Sequence, residues 1–228
     1  MSESHSRPAP AWTLAALVVI GLWIDQHVPG WGQHAVDVVV WAALLFWMAR
    51  SSRDTRTMLM VCVGWATAGE VFLSLVWGLY DYRLPGIPLF VPPAHALVLL
   101  LGLAIAERMP NAIVWAVPLG AAIPVLSLAW IGADTMGIVL YAMLLACMIW
   151  SRARKLYAVM FMLSLGLELY GTAVGNWAWR HDVPVTGWTT MNPPLAAGTL
   201  YCILDLLVVS TMGAIRRRAQ RSAPVGQV

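Results

Sequence analysis

Three acidic residues, Glu70, Glu168 and Asp205, stand inside long apolar runs of the sequence. An ionisable group at the centre of a membrane-spanning helix costs at least about 2.5 to 3.5 kcal/mol, so such residues usually face a bundle interior and have a function. Carboxyl groups crowded in a low dielectric cannot all be ionised, and a neutral acid is what a proton donor requires. The three acids are therefore candidate catalytic residues. The simpler alternative is that each one only forms hydrogen bonds between helices, for example to Tyr201 or Asn176.

Two of these acids begin segments that look like copies of one another. The first copy contains Glu70, Trp77, Gly78, Tyr80, Asp81, Tyr82, Arg83, Gly86, Pro92 and Pro93. The second contains Glu168, Gly175, Asn176, Trp177, Trp179, Arg180, Gly187, Pro193 and Pro194. Internal similarity of this kind is typical of membrane folds built from repeats, and two copies that run in the same direction are related by an axis along the membrane normal. Glu70 and Glu168 are therefore expected at equal depth, facing one central cavity.

Aromatic and polar residues beside the acids are candidates for substrate binding. They are Trp77, Tyr80, Tyr82, His95, Trp177, Trp179 and Asn192. Aromatic rings near a membrane boundary commonly form an interfacial belt. Their recurrence in both copies favours a second interpretation, in which the rings line a cavity and stabilise cationic intermediates. His95 has Ala196 as its approximate counterpart, and a single helical histidine is more often a packed hydrogen-bonding residue than a ligand.

Several kinds of chemistry lack a sequence signal. No histidine has a second one three or four residues away, and Cys62, Cys147 and Cys202 fall in apolar segments without metal-ligand spacing, so no metal is expected. There is no phosphate-binding loop and no aspartate-rich cluster for magnesium and a diphosphate, and no cofactor is expected. The arginines cluster at helix ends rather than in a patch that would bind nucleic acid. The expected partners are membrane lipids and a hydrophobic lipid or polyene substrate.

The elements that carry these residues are membrane helices. The chain has 228 residues, 60% hydrophobic and 11% charged, whereas soluble domains carry about a quarter charged residues. Because a spanning helix needs about 20 apolar residues, the apolar runs predict an all-α integral membrane protein with eight transmembrane helices. The predicted ranges are 11–26, 35–49, 57–78, 88–106, 111–132, 135–151, 156–178 and 193–215. They form two parallel four-helix repeats, residues 1–108 and residues 109–228, the second with a basic cytoplasmic tail.

The distribution of positive charge predicts the orientation, since basic residues accumulate on the cytoplasmic side. With eight helices and the N-terminus inside, only Arg83 and Arg180 lie outside. The basic residues then placed in the cytoplasm are Arg7, Arg50, Arg53, Arg56, Arg108, Arg152, Arg154, Lys155, Arg216, Arg217, Arg218 and Arg221. The sequence thus predicts a multi-pass protein of a bacterial-type inner membrane with both termini in the cytoplasm.

The first copy resembles a known family. The residues that carry the resemblance are Gly69, Glu70, Gly78, Tyr80, Tyr82 and the run from Gly86 to Pro93. They resemble the membrane-bound carotenoid hydratases of bacteria and archaea and, more distantly, the small-subunit lycopene cyclases, over residues 69–96 and 168–194. The resemblance implies paired membrane repeats and protonation of a polyene, with Glu70 and Glu168 as the family acids and Asn192 as a polar residue near the second turn. The cyclase branch has paired acids where this chain has Phe90 and Val91.

These observations lead to an expected function and two alternatives. The expected function is a membrane enzyme that protonates an alkene of an isoprenoid or carotenoid-like lipid, followed by hydration, cyclisation or isomerisation. Glu168 or Asp205 would donate the proton, and Glu70 would act as partner base or stabiliser. The first alternative is a small-solute or proton-coupled transporter, since intramembrane acids and parallel repeats also mark such proteins. The second is a non-catalytic membrane assembly factor, for which the helices around the acids would enclose no cavity.

Overall fold

The computed structural model describes residues 11–222, which form eight α-helices and one short two-stranded ribbon. The helices are α1 (Ala11–His27), α2 (Gly32–Ala49), α3 (Arg53–Glu70), α4 (Val91–Arg108), α5 (Ala116–Trp130), α6 (Met136–Trp150), α7 (Arg154–Val174) and α8 (Gly198–Ser222). The predicted all-helical class is confirmed, and most predicted boundaries lie within a few residues of the observed ones. The fifth and eighth helices begin about five residues later than predicted, since a 3₁₀ turn at Asn111–Ile113 precedes α5 and a non-helical segment at 191–197 precedes α8.

Six helical segments of the described chain are long and apolar enough to cross a membrane. They are Gly32–Ala49, Arg53–Val76, Val91–Arg108, Asn111–Trp130, Arg154–Val174 and Gly198–Arg221. Two further apolar helices, α1 and α6, are shorter. The chain therefore has the helices of a multi-pass membrane protein.

The ribbon joins the ends of α3 and α7. After α3, a π-helical turn at Val71–Val76 leads to Gly78 (φ +74°) and then to β1 (Tyr80–Tyr82). Helix α7 ends at Gly175 (φ +95°), which leads directly to β2 (Trp177–Trp179). Glycine adopts these positive φ angles without steric cost, which lets both helices end abruptly. The strands are antiparallel, so the two helix ends meet at one end of the molecule.

Helices α3, α4, α7 and α8 form the centre of the molecule. Helix α3 packs against α4 and α8, and α7 packs against the same two helices. The pairs α1–α2 and α5–α6 lie outside this set. The core includes the fully buried Tyr157 and Phe161 of α7 and Leu97 of α4. The central helices carry the acids and enclose the space between them.

The end of the molecule opposite the ribbon is basic. Arg216 Nη2 lies 2.9 Å from Asp54 Oδ2, which joins the end of α8 to the start of α3. The guanidinium of Arg154, at the start of α7, lies 5.8 Å from the ring centroid of Trp115, before α5. The predicted basic loops thus lie at one end. Arg7 and both termini lie outside the described residues.

Candidate active site

A cavity of about 550 Å³ lies under the ribbon and between the central helices, with α1, α2 and α6 closing its sides. Its volume is typical of small-molecule sites. The lining is mostly apolar, and its acidic members are Glu70 and Glu168. The two predicted acids therefore face one cavity.

Glu70 is the last residue of α3 and is only 7% exposed. The hydroxyl groups of Tyr80 and Tyr82 donate hydrogen bonds to its Oε2, at 2.7 Å and 2.6 Å. Alternate residues of a strand point to the same face, so both phenols of β1 reach one carboxyl group. The strand that follows the acid thus fixes one of its oxygens.

Glu168 of α7 has the same arrangement with different rings. The indole N–H groups of Trp177 and Trp179 donate to its Oε2, at 2.8 Å and 3.0 Å. The hydroxyl of Tyr201, on α8, donates to Oε1 at 3.5 Å. Glu168 is thus faced by three hydrogen-bond donors, which is the environment that suits a carboxylate.

A stacked pair of rings lies between the two acids. The rings of His95 and Tyr201 are parallel within 6°, with centroids 4.4 Å apart. The Nδ1 atom of His95 lies 3.1 Å from the carbonyl oxygen of Val91, which can only accept, so Nδ1 carries the hydrogen. In the neutral ring the other nitrogen, Nε2, is then an acceptor, and it lies 4.0 Å from Glu70 Oε1. His95 therefore faces Glu70, while Tyr201 faces Glu168.

An exposed ion pair holds the two strands together from outside. Arg180 donates to both carboxylate oxygens of Asp81, with both distances at 2.8 Å. These hydrogen bonds, and the positive charge of the guanidinium, lower the pKa of Asp81 below its usual value. The ion pair stabilises the ribbon that carries the four aromatic donors.

A buried network joins α1 to the ribbon. Asp25 accepts hydrogen bonds from Arg83 Nη2 at 3.1 Å and from Asn176 Nδ2 at 2.7 Å. Asn176 was expected as a possible partner of the membrane acids, and it binds Asp25 instead. Asp25 was not predicted from the sequence as a functional residue, although an aspartate at the end of an apolar run indicates a buried polar contact.

Asp205 lies apart from the cavity. It is 1% exposed, and its Oδ2 atom has no hydrogen-bond partner among the described residues. Its electrostatic neighbours are Cys62, Tyr157 and Cys202, and it is not among the residues that line the cavity. The structure therefore brings together two of the three predicted carboxyl groups. Tyr201, four residues before Asp205, takes the place beside Glu168.

The other predicted binding residues divide into two groups. Trp77 lines the cavity and donates its indole N–H to the carbonyl of Pro184 at 3.1 Å. Asn192 does not line it; its Oδ1 accepts from the backbone N–H of Trp179 at 2.9 Å and so positions β2. The sequence analysis treated Tyr201 only as a structural partner and overlooked Trp65, which also lines the cavity. Within residues 11–222, no group of three His, Cys, Asp or Glu residues could hold a metal ion.

Fold and site together define a class: a helical protein with several helices suited to a membrane and an internal apolar cavity containing paired carboxyl groups. No protein-family model, curated protein or solved structure matches the chain.

Proposed function

We propose that this chain is a membrane enzyme that protonates a carbon–carbon double bond of an isoprenoid or carotenoid-like lipid. Hydration, cyclisation or isomerisation of that lipid would follow. The observation that carries the proposal is the convergence of Glu70 and Glu168 on one apolar cavity, each held by two aromatic donors.

The lining supports a hydrocarbon substrate. Burying polar groups without partners is costly, and the cavity offers few partners besides its two acids, so a polar solute would be poorly accommodated. Aromatic rings attract cations to their faces, and Tyr80 and Trp179, with centroids 4.8 Å apart, lie beside both acids. These features suit a carbocation formed on an otherwise apolar chain. They favour the enzyme over a small-solute transporter, and the cavity itself argues against the assembly factor.

Hydrogen-bond chemistry assigns different roles to the two acids. Glu70 Oε1 faces the acceptor nitrogen of His95, and two acceptors facing each other in an apolar cavity are stable only when one carries a proton. We therefore place the transferable proton on the Glu70–His95 pair. Glu168, faced by donors, would be the carboxylate that stabilises the developing cation. The sequence alone favoured Glu168 or Asp205 as the donor.

In the proposed reaction, the proton that is transferred to the alkene is later returned to the protein. The π electrons of the alkene take the proton held by the Glu70–His95 pair and form a C–H bond, which leaves a positive charge on the neighbouring carbon. Glu168 and the aromatic faces stabilise that charge. Addition of water gives an alcohol, and loss of a neighbouring proton gives an isomer. Attack by a second double bond forms a ring and moves the positive charge to another carbon, which then loses a neighbouring proton. The proton released by water addition or by alkene formation returns to the Glu70–His95 pair.

The ribbon supports eight membrane crossings. Because β1 and β2 pair, the ends of α3 and α7 lie at the same end of the molecule. The chain between them must cross an even number of times. Helices α4, α5 and α7 belong to segments long enough to cross, and we infer that α6 crosses as well. The contact of Arg83 with Asp25 places the end of α1 at the ribbon end too, which gives α1 the direction of a first crossing.

The ribbon register also supports two parallel repeats, residues 1–108 and 109–228. A twofold axis that exchanges Tyr80 with Trp177 and Tyr82 with Trp179 preserves every pairing of the ribbon. The same operation exchanges Glu70 with Glu168, whose hydrogen bonds correspond. If the basic end lies in the cytoplasm, as the positive-inside rule predicts, the ribbon would lie at the outer face of a bacterial-type inner membrane.

The function is tested by comparing lipid extracts of cells that express the chain with those of cells that express Glu70→Gln. We expect a lipid whose mass increases by one water, or a new isomer of unchanged mass, only with the unmodified chain. Movement of an unaltered lipid between membranes would instead identify a lipid transporter. Identical lipid composition in polyene-producing cells would contradict the enzyme.

A further inference from the structure

A second groove lies between α1 and α2, on the side of the molecule away from α8. Its volume is about 350 Å³. Four residues, Leu17 and Gly21 of α1 and Val36 and Val40 of α2, line both this groove and the acid-containing cavity. The two spaces are therefore adjacent at these helices.

The groove suits a hydrocarbon chain. No charged residue is among the described residues that line it. On α1 it extends from Trp12 to Ile24, a rise of about 18 Å at 1.5 Å per residue. Exposed apolar side chains flank it, including Ile20 and Val39, which are 56% and 51% exposed. In a membrane these side chains face lipid tails, so an apolar chain reaches the groove without crossing water.

Gly21 lies where the two spaces are adjacent. A Cβ atom added at this position would lie 3.5 Å from Val36 Cγ1, which is ordinary van der Waals contact. Glycine leaves the space beside Val36 unfilled, and a larger side chain would fill it.

We propose that the α1–α2 groove is a lipid-binding channel through which the chain of a linear isoprenoid enters the acid-containing cavity sideways from the bilayer. The channel would hold the part of the chain that does not react, while the reacting double bond lies between Glu70 and Glu168. The proposal rests on the proposed function for its substrate class. Binding can nevertheless be measured without any reaction.

A different route would pass the opposite side of the cavity. Phe72, in the π-helical turn after α3, and Leu207 of α8 line the cavity and are 52% and 38% exposed. A substrate that used this side would not pass Gly21. The two routes therefore predict different sensitive positions.

The test uses all-trans-retinol, an uncharged linear isoprenoid polyene, as a probe. Several tryptophans line the cavity, including Trp177 and Trp179, and energy transfer to the bound polyene quenches their fluorescence. The full chain is placed in phosphatidylcholine nanodiscs and mixed rapidly with vesicles that contain retinol. Gly21→Phe is compared with Gly120→Phe, the same change at an exposed position of α5 that lines neither space.

We expect Gly21→Phe to slow both uptake and release of retinol by at least about tenfold while the equilibrium quenching changes little, as closing a passage requires. Val39→Trp, at a lipid-exposed position of the groove, should slow both rates in the same way without disturbing the core. Equal rates in Gly21→Phe, Val39→Trp and Gly120→Phe would overturn the proposal, as would slowing only in Leu207→Trp. Absence of quenching in the unmodified chain would overturn it as well. If the channel variants slow uptake but the unmodified chain alters no lipid chemically, the channel proposal is supported and the proposed enzymatic function is contradicted.

Discussion

At the residue scale, the site contains two carboxyl groups that each accept two hydrogen bonds from aromatic side chains but that have different residues at their other oxygen. At both acids one oxygen is fixed by two donors from the following strand. The surroundings differ at the other oxygen, where Glu70 faces His95 and Glu168 faces Tyr201. His95 has an alanine at the corresponding position of the second sequence copy, and the proposal of different roles for the two acids rests on these unequal neighbours.

Amide substitution of either acid should remove activity without unfolding the protein. Glutamine keeps the size and one acceptor oxygen, but Glu70→Gln has no transferable proton and Glu168→Gln has no charge. We expect product formation to fall by at least about 10²-fold in each variant, as is usual for general acids. Glu107→Gln, at an exposed position of α4, is the control and should keep full activity. Near-normal product formation with both amides would show that the acids only join helices.

At the element scale, the apolar pattern located all eight helices but not the ribbon. The strands β1 and β2 have three residues each, and alternation over so few residues does not distinguish them from loops. Their partners lie about a hundred residues apart, so only the folded chain brings them together. The repeated motif did place Glu70 and Glu168 in one cavity. The repeated motif gave no information on Asp205. Whether Asp205 reaches the cavity of the other two acids depends on where α8 begins and on the rotation of α8 about its own axis.

The packing of Trp177 against α7 gives a test of the ribbon's position. A Cβ atom at Gly171 would overlap the indole of Trp177, whereas a Cβ at Gly166 of the same helix meets no neighbour. We expect Gly171→Ala to destabilise the protein by about 1–3 kcal/mol through overpacking and to displace the indole from Glu168. Gly166→Ala should instead stabilise α7 by about 0.5–1 kcal/mol. Thermal unfolding of both variants in one detergent measures the difference, and equal effects would contradict this packing.

The ion pair between Asp81 and Arg180 should make the ribbon sensitive to acid. Because Arg180 lowers the pKa of Asp81 in the folded state, the pair's stabilisation is present above the ordinary aspartate pKa of about 3.9 and is lost as the pH falls through the lower folded value. Asp81→Asn should therefore speed hydrogen exchange at the Arg180 amide near neutral pH. The difference from the unmodified chain should disappear in acid. Asp182→Asn, in the same loop but without an ion pair among the described residues, should exchange normally at every pH.

At the scale of the whole molecule, the pairing of two short strands constrains the membrane topology more strongly than hydropathy does. Length and composition identify six spanning segments and leave α1 and α6 undecided. The ribbon requires an even number of crossings between its strands. The positive-inside rule predicts a compatible topology by a different route, since eight helices with the N-terminus inside would leave the basic clusters on one side.

Cysteine labelling provides the test of this topology. The native residues Cys62, Cys147 and Cys202 are buried, so a membrane-impermeant thiol reagent should give little background. Single cysteines are introduced at Arg53 and Arg152, both exposed at the basic end, and at Val185, which is fully exposed near the ribbon. In intact cells we expect the reagent to label Val185→Cys only, and in inverted vesicles Arg53→Cys and Arg152→Cys only.

The variant at residue 152 decides the number of crossings, because it lies between α6 and α7. If α6 did not cross, Arg152→Cys would be labelled in intact cells and Val185→Cys only in inverted vesicles, because α7 separates the two positions. The ribbon would then have to pair strands from opposite faces of the bilayer, which its hydrogen bonds exclude. Labelling of residue 152 together with residue 53 would leave eight crossings, and with them a single outer face on which both aromatic strands cover the two acids.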